Sequence, residues 1–263
     1  MNCNICHSTS ELLTRALVLG RHESAYYRCT GCGFIQTEEP YWLSEAYSAA
    51  ITASDVGLVR RNFELSAVAK VLITLFFNPR GHFVDYAGGY GLFVRLMRDC
   101  GYDFSWNDKY SENIFAQGFE ASPPGGKTVE LVTAFEVLEH LVDPTAEVER
   151  IFAYSRNILF TTLLLPDPPP QPGEWWYYGL EHGQHIAFYT RCSLALLAER
   201  AGLNFYTNGS SMHLFTEKRL SQPLFSVFAR YKAARFLAPL AGRTSLVPAD
   251  YTHASGSSLD RRI

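Results

Sequence analysis

The sequence predicts an α/β protein that carries a small metal-binding module at its N-terminus. Three observations support this fold class. Two Cys-x-x-Cys pairs lie within the first 32 residues, a predicted strand from residue 82 runs into a glycine-rich turn that opens a helix, and strand and helix patterns alternate up to about residue 215. Alternating strands and helices are typical of a mostly parallel sheet with helices packed on its faces.

Composition and charge exclude several classes of protein. The chain has 263 residues, of which 47% are hydrophobic and 19% are charged, which is the profile of an ordered globular protein. A net charge of -3 gives no reason to expect a polyanionic partner. The first residues lack the basic and apolar regions of a secretory signal, and the apolar runs are shorter than the ~20 residues that span a bilayer. We therefore expect a cytoplasmic protein without a transmembrane segment.

Four of the six cysteines form two closely spaced pairs. These four are Cys3, Cys6, Cys29 and Cys32. Two such pairs separated by strand-like segments are typical of a zinc ribbon, in which four thiolates complete a tetrahedral structural site. A redox or disulfide role is the alternative. Cys100 and Cys192 are then expected to be core thiols.

The predicted ribbon has little basic character. Between Cys3 and Cys32 there are three arginines and two glutamates, so no basic stripe indicates nucleic-acid binding. Because about 35 residues bury little core on their own, zinc would supply much of the folding energy of this module.

Changes of pattern divide the chain into four predicted regions. Residues 1–40 form the zinc-ribbon module, 41–80 a helical connector, 81–220 the main α/β domain, and 221–263 a basic helix with a flexible tail. From Glu217 onward there are eight basic and three acidic residues, and Leu224 to Leu240 predicts an amphipathic helix. We expect this helix to pack on the domain with its basic side in solvent; contact with a membrane surface or an anionic substrate is the alternative.

A glycine-rich turn, Ala87 to Gly91, follows the predicted strand from His82 to Tyr86. Glycines allow the backbone to approach a ligand closely, and the N-terminus of the following helix offers free N–H groups. Asp108, at the tip of the next strand, is placed to accept hydrogen bonds from both hydroxyls of a ribose. The arrangement predicts a nucleotide site, and a domain that binds another nucleotide, or none, is the alternative.

Two segments resemble motifs of class I S-adenosylmethionine-dependent methyltransferases. Phe83 to Gly91 is similar to their first motif, and Phe135 to Pro144 is similar to the segment after their fourth strand. The two motifs stand in the expected order and separation. The resemblance implies a Rossmann-like seven-stranded methyltransferase domain over residues 81–220, with S-adenosylmethionine as cofactor. Ala87 stands where the family usually has glycine.

The resemblance also implies a role for each residue of the cofactor site. The glycine-rich turn would hold the methionine part, Asp85 its amino group and Asp108 the ribose. Ala134 and Phe135 would flank the sulfonium, and Phe119 or Glu120 would touch adenine. The full set of predicted cofactor-binding residues is Asp85, Ala87, Gly88, Gly89, Gly91, Asp108, Lys109, Phe119, Glu120, Ala134, Phe135 and Glu136.

The acceptor side is predicted after the fifth strand, where a proline-rich loop, Pro166 to Gly173, leads into a stretch of aromatic residues and histidines, Glu174 to His185. Gln184 to Thr190 resembles the glutamate-histidine segment of deoxysugar methyltransferases that also carry an N-terminal four-cysteine zinc domain. This implies that His185 is the base at the acceptor, with Gln184 in place of that carboxylate. His182 and Tyr178 complete the predicted catalytic set. The alternative is that the histidines fasten the loop and the aromatic residues pack the core.

The sequence thus predicts a methyltransferase that acts on a sugar, nucleotide sugar or glycan precursor, as in polysaccharide biosynthesis. S-adenosylmethionine and a structural zinc ion are the predicted cofactors, and a small molecule is the predicted partner. Methylation of another small hydroxylated metabolite is a second interpretation. A zinc-bearing adaptor that binds the cofactor without catalysis is a third.

Overall fold

The structure, a computed structural model, describes residues 1–48 and 55–258 of the chain. These residues divide into two units. Unit 1 comprises Met1–Ser54, Ala134–Phe152 and Arg156–Arg219, and unit 2 comprises Asp55–Thr133, Ala153–Ser155 and Leu220–Ile263. The predicted boundaries at residues 40, 80 and 220 stay predictions. Parts of the predicted connector and tail, residues 49–54 and 259–263, lie outside the described residues.

Strands and helices alternate along much of the described chain, as the sequence pattern predicts. The strands are β1 (Ser10–Val18), β2 (His22–Cys29), β3 (Ile35–Thr37), β4 (His82–Tyr86), β5 (Asp103–Asn107), β6 (Val129–Ala134), β7 (Ile158–Thr161), β8 (Ala187–Phe188), β9 (Asn204–Thr207) and β10 (Met212–Thr216). The helices are α1 (Leu43–Ala46), α2 (Leu58–Phe76), α3 (Leu92–Asp99), α4 (Pro144–Phe152), α5 (Arg191–Arg200), α6 (Gln222–Phe228), α7 (Tyr231–Leu237) and α8 (Val247–Ser255).

In unit 1, the cysteine-rich segment forms an antiparallel sheet with the strand order β1-β2-β3-β8. The first three strands are close in sequence, but β8 comes from the predicted acceptor segment, and its Phe188 lies opposite Ile35 of β3. Tyr26, Ile35 and Phe188 are buried together on this sheet with Tyr177 and Tyr178. The zinc-ribbon segment and the predicted acceptor segment therefore share one hydrophobic core.

In unit 2, β4 lies between β5 and β6 and is parallel to both. Phe83, Val84 and Asp85 of β4 are all buried, as expected for the central strand of a parallel sheet. The helices α2 and α3 pack against each other in the same unit. Beyond β5, Trp106 and Glu120 form a single parallel bridge.

Unit 1 also contains the remaining strands of the α/β pattern, with β10 antiparallel to both β7 and β9.

Helix α5 is capped by Thr190, whose side chain accepts a hydrogen bond from Ser193 N–H while the Ser193 hydroxyl accepts one from Thr190 N–H. Cys192, in the first turn of α5, is exposed, so the prediction that it is a core thiol is wrong. Among the residues that the structure describes, six strands of the predicted seven are present, three in each unit, and the α/β, Rossmann-like fold class is confirmed.

Unit 2 ends in three short helices. In place of the one helix predicted from Leu224 to Leu240, Arg230 has extended backbone angles (φ -115°, ψ 128°) and separates α6 from α7. A third helix, α8, is joined to α3 by an ion pair between Asp250 and Arg98, whose carboxylate oxygen and Nη2 lie 2.6 Å apart. None of the helices in the described part of the chain combines the length and hydropathy that crossing a bilayer requires.

Candidate functional site

The four predicted metal ligands lie together in unit 1. The sulfurs of Cys3 and Cys32 are 3.7 Å apart and those of Cys6 and Cys29 are 3.2 Å apart. Four sulfurs bound to one zinc ion at about 2.3 Å lie about 3.8 Å from one another, whereas a disulfide needs about 2.05 Å. The cysteines are free thiols at a spacing that fits a tetrahedral ion.

Backbone N–H groups stabilise negative charge on these sulfurs. Ile5 and Cys6 donate to the sulfur of Cys3 at 3.4 and 3.5 Å, and Gly31 and Cys32 donate in the same way to the sulfur of Cys29 at 3.4 Å. The Cys32 thiol, together with the N–H groups of Ile5 and Cys6, lowers the pKa of the Cys3 thiol to about 5. Because a thiolate is the form that binds metal, this donor pattern suits a zinc site.

The predicted cofactor turn follows β4 in unit 2. Ala87 and Gly89 both have φ of 55°, and Gly91, at the start of α3, has φ of 83°. A Cβ atom added to Gly88 would lie 2.7 Å from an oxygen of Asp85, so a side chain at this position would displace that carboxylate. A Cβ atom added to Gly89 would meet no heavy atom within 4 Å. The turn therefore leaves open space where its backbone can approach a ligand.

Asp85 is the buried carboxylate at the end of β4, with 3% of its surface exposed. One of its oxygens accepts a hydrogen bond from the hydroxyl of Thr133 at 2.6 Å. Burial, with a smaller contribution from the charge of Asp108, raises the pKa of Asp85 to about 7. A buried carboxylate with so few partners suits a cationic ligand such as an amino group.

Asp108 is tied to the glycine-rich turn. Its Oδ2 accepts a hydrogen bond from Gly89 N–H at 2.9 Å, and its Oδ1 accepts from the N–H groups of Tyr110 and Ser111 at 2.7 and 2.8 Å. A carboxylate has about four acceptor positions, so roughly one stays free. Asp108 can therefore accept one ribose hydroxyl as it stands, and it must release a backbone N–H group to accept both.

The predicted adenine contacts have partners within the protein. The ring of Phe119 lies under the guanidinium of Arg98, 3.8 Å from its central carbon, and its centroid is 5.5 Å from that of His253. Glu120 accepts a hydrogen bond from the side-chain amide of Asn113 at 2.7 Å. Lys109 is exposed, with its Nζ 5.3 Å from the ring centre of Tyr110. These three residues lie near the tip of β5 and keep their predicted roles as predictions.

The three remaining predicted cofactor residues belong to unit 1. Ala134 is buried and Phe135 is half-buried. Glu136 has φ of 55°, a left-handed conformation that is uncommon outside glycine. The Thr161 hydroxyl accepts a hydrogen bond from Glu136 N–H at 2.8 Å and donates one to its carboxylate at 2.7 Å. These two hydrogen bonds to Thr161 hold the strained residue in place.

His185, the predicted base, has a defined tautomer. Its Nδ1 lies 2.6 Å from the carbonyl oxygen of Tyr177, and because a carbonyl only accepts, Nδ1 carries the proton and Nε2 has a free lone pair. Burial lowers the pKa of His185 to about 4, so the ring is neutral at physiological pH. A neutral imidazole with a free Nε2 offers a lone pair to a proton or a metal ion, and burial makes this ring a weaker base than an exposed histidine.

The other two predicted catalytic residues differ in their surroundings. The ring of His182 lies 4.9 Å from that of His185, and its Nδ1 accepts a hydrogen bond from Gln184 N–H at 3.1 Å. The ring of Tyr178 is buried against Tyr26, and its hydroxyl donates to the carbonyl oxygen of Pro170 at 2.9 Å. The structure thus brings the two histidines together, and the contacts of Tyr178 favour the interpretation that it fastens the proline-rich loop.

Two residues beside His185 were missed as site residues. Glu139 is fully buried, its Oε1 accepts a hydrogen bond from the Tyr177 hydroxyl at 2.7 Å, and its Oε2 has no partner among the described residues. Burial and the charge of Glu136 raise the pKa of Glu139 to about 8. The ring centroid of His140 lies 4.9 Å from that of His185.

A backbone contact explains why these residues meet. Ile186 N–H donates to the carbonyl oxygen of Glu139 at 2.9 Å, and Nδ1 of His140 donates to the carbonyl oxygen of Gln184 at 3.1 Å. The sequence signal for this group is a glutamate directly followed by a histidine, within the segment from Phe135 to Pro144 that resembles a methyltransferase motif. Glu139 and His140 become candidate site residues only because the fold places His185 beside them.

Comparison with known proteins places the chain in a family. A family model described as a methyltransferase domain matches residues 60–208. A search of curated proteins finds no match.

Solved structures with a similar fold include several methyltransferases. An O-methyltransferase family protein from Burkholderia thailandensis is 13% identical, with a TM-score of 0.49 over 68% of this chain and 64% of that one. Human N-acetylserotonin methyltransferase, solved with S-adenosylmethionine, is 15% identical, with a TM-score of 0.43 over 68% and 66%. The chain thus spans less than two thirds of the length of these two structures. Since the family model covers more than half of the residues, the chain belongs to the methyltransferase domain family.

Proposed function

We propose that the protein transfers a methyl group from S-adenosylmethionine to a hydroxyl group of a small, sugar-containing acceptor such as a nucleotide sugar or glycan precursor. The observation that carries the acceptor side of this proposal is the fixed tautomer of His185, which leaves Nε2 free in a half-buried cluster of histidines and aromatic residues. The resemblance of this segment to deoxysugar methyltransferases supports a sugar as acceptor.

On the cofactor side, each group has a physical task. S-adenosylmethionine supplies an electrophilic methyl group on a sulfonium sulfur. The carboxylate of Asp85 pairs with the amino group of the methionine part, and the open backbone at Gly89 accommodates that part closely. The remaining acceptor position of Asp108 binds a ribose hydroxyl. Because methyl transfer is an in-line displacement, these residues contribute mainly by alignment.

On the acceptor side, a hydroxyl group is a poor nucleophile until it loses its proton. The Tyr177 carbonyl holds Nδ1–H of His185, so Nε2 is the ring atom that acts at the acceptor. Its predicted role is that of the base that takes the hydroxyl proton. His182, whose ring packs on that of His185, supports the orientation of that ring.

A structural zinc ion bound by the four cysteines completes the proposal. Cys29 ends β2 of the sheet that also includes β8, and the core on this sheet contains Tyr177, the residue that fixes the tautomer of His185. The zinc ion therefore supports the acceptor cluster through the shared core. It takes no part in the chemistry, because four thiolates leave no open position.

The test measures release of S-adenosylhomocysteine with a panel of nucleotide sugars, together with cofactor binding by calorimetry. The His185→Ala protein is expected to bind S-adenosylmethionine as tightly as the unchanged protein and to lose at least about 100-fold in turnover. His22→Ala, which changes a histidine paired with Glu45 near the surface, is the control. Unchanged turnover in His185→Ala would refute its role.

The same assays separate the alternatives. Turnover only with acceptors that lack a sugar would favour methylation of another hydroxylated metabolite. Tight cofactor binding without turnover on any acceptor would favour a zinc-bearing adaptor.

A further inference from the structure

Besides the four cysteines, one other group in the described part of the chain has the geometry of a metal site. It consists of Glu139, His140 and His185, whose potential ligand atoms all lie within 4.8 Å of one another. We propose that these three residues bind a divalent transition-metal ion and that the acceptor hydroxyl coordinates the same ion. This inference rests on the proposed function for the acceptor but not for the ion.

The backbone contacts of both histidines favour the tautomer that leaves Nε2 available to a metal ion. Nδ1 of His140 lies 3.1 Å from the carbonyl oxygen of Gln184, and Nδ1 of His185 lies 2.6 Å from that of Tyr177. Because a carbonyl oxygen only accepts, each Nδ1 carries the proton in these bonds, and the Tyr47 hydroxyl, 3.0 Å from Nδ1 of His140, then accepts from the same N–H group. Each Nε2 keeps its lone pair. Histidines that bind metal almost always donate their other ring N–H to a carbonyl or carboxylate, because that bond fixes the tautomer and the ring orientation. Two neighbouring histidines share this arrangement here.

Glu139 supplies an oxygen that the protein leaves unsatisfied. The side chain is 0% exposed, the Tyr177 hydroxyl donates to Oε1, and Oε2 is buried with no hydrogen-bond partner in the part of the chain that the structure describes. An unpaired buried carboxylate oxygen is costly, and a cation is one of the few partners that compensates for it. Tyr177 thus contacts the group twice, since its hydroxyl orients Glu139 and its carbonyl orients His185.

The donor set indicates the kind of ion. Two imidazole nitrogens and one carboxylate oxygen suit Zn²⁺, Fe²⁺, Co²⁺ or Mn²⁺ better than Ca²⁺ or Mg²⁺, which prefer oxygen ligands. Three protein ligands also leave positions open for substrate or water, as in catalytic zinc sites. The four-cysteine site, by contrast, is closed. The chain would then carry one structural and one open metal site.

An ion at this position changes how His185 acts. A lone pair bound to metal cannot take a proton, so the acceptor hydroxyl instead loses its proton to solvent water while its oxygen is bound to the ion. A bound divalent ion lowers the pKa of a coordinated water from 15.7 to about 7, and a coordinated hydroxyl group is affected in the same way. The resulting alkoxide oxygen forms the new bond to the methyl carbon as the carbon–sulfur bond breaks, and the electron pair stays on sulfur.

The test uses the full chain, loaded with excess Zn²⁺ and then dialysed, with metal content measured by mass spectrometry. We expect two equivalents of zinc per chain in the unchanged protein and one in both His185→Ala and Glu139→Gln. His22→Ala is the matched control and should keep both. Glu139→Gln is nearly the same size and removes only the charge, so it separates loss of the ion from loss of the fold, which circular dichroism checks.

Loading with Co²⁺ identifies which site is lost. The intense charge-transfer absorption of thiolate-bound Co²⁺ should persist in both variants, while the weaker visible bands of a nitrogen- and oxygen-bound ion should disappear. One equivalent in the unchanged protein, or two in both variants, would overturn the inference. If turnover depends on His185 but only one equivalent binds, the proposed function stands and the metal site fails. If two equivalents bind but no acceptor is methylated, the metal site stands and the proposed function fails.

Discussion

Replacing Ala87 by glycine should stabilise the protein, although glycine usually destabilises. Ala87 has φ of 55°, in the left-handed region, where a side chain costs about 1–2 kcal/mol. Glycine removes that strain but adds conformational entropy to the unfolded chain, worth about 0.4–1 kcal/mol. The difference predicts that Ala87→Gly raises the free energy of unfolding by about 1 kcal/mol, or the melting temperature by about 2–4 °C.

The chain offers a matched control two residues away. Gly89 has the same φ of 55°, and a Cβ atom added there would meet no heavy atom within 4 Å, so Gly89→Ala introduces strain without a steric clash. We expect it to lower the free energy of unfolding by about 1 kcal/mol, by the same two contributions with opposite sign. Urea unfolding followed by circular dichroism, with the slopes compared between variants, measures both changes.

The essential outcome is that the two substitutions change the free energy of unfolding in opposite directions. If Ala87→Gly leaves stability unchanged or lowers it while Gly89→Ala is destabilising, the reasoning about strain at Ala87 is wrong. Calorimetry with S-adenosylmethionine adds a functional measurement. Loss of the Ala87 methyl group should maintain or strengthen cofactor binding, because it enlarges the space in the turn predicted to hold the methionine part.

Three further predictions concern other parts of the chain. The folded pKa of Asp85, about 7, lies above its ordinary value of 3.8, so the folded protein retains a proton that the unfolded chain releases. As pH rises from about 4 to above 7, the free energy of unfolding of the unchanged protein should therefore fall by up to about 4 kcal/mol relative to that of Asp85→Asn. Urea unfolding at a series of pH values measures this, and parallel pH profiles of the two proteins would contradict it. Asp250→Ala leaves the buried Arg98 without its main partner and should lower the free energy of unfolding by about 3 kcal/mol. Asp99→Ala, which breaks the pair between Arg95 and a carboxylate side chain that is 44% exposed, should lower it by less than about 1 kcal/mol. Equal losses in the two variants would refute the conclusion that the Arg98–Asp250 pair stabilises the fold more strongly. Cys29→Ser should abolish tight zinc binding at the cysteine site and unfold the N-terminal sheet, as measured by metal content and circular dichroism, while the exposed Cys192→Ser should change neither.

The sequence predicted those parts of the molecule that depend on local chemistry. The spacing of Cys3, Cys6, Cys29 and Cys32 was sufficient because a knuckle is a local structure, and the four sulfurs do lie together. The strand, turn and helix around Gly89 were predicted for the same reason, since φ preferences and hydrophobic runs act over a few residues.

Features that depend on tertiary contacts were not predicted. His140 and His185 are 45 positions apart, and they meet because Ile186 N–H bonds to the carbonyl of Glu139, which no pattern in either segment reveals. The stacking of Phe119 on Arg98 is a second example, because a partly exposed aromatic residue near a strand tip is equally compatible with a ligand contact. The left-handed conformation of Ala87 was also missed, since propensity alone assigns alanine elsewhere.

The pairing of β3 with β8 has a consequence for synthesis of the chain. Thr37 and Ala187 are separated by about 150 residues, which a ribosome adds in roughly 8–30 s at about 5–20 residues per second. During that interval the cysteine knuckles are already complete and can capture zinc, but one edge of their sheet lacks its final strand. An unpaired edge is a site for aggregation, so the nascent protein passes through a period in which its four-cysteine site is formed and its sheet is still vulnerable.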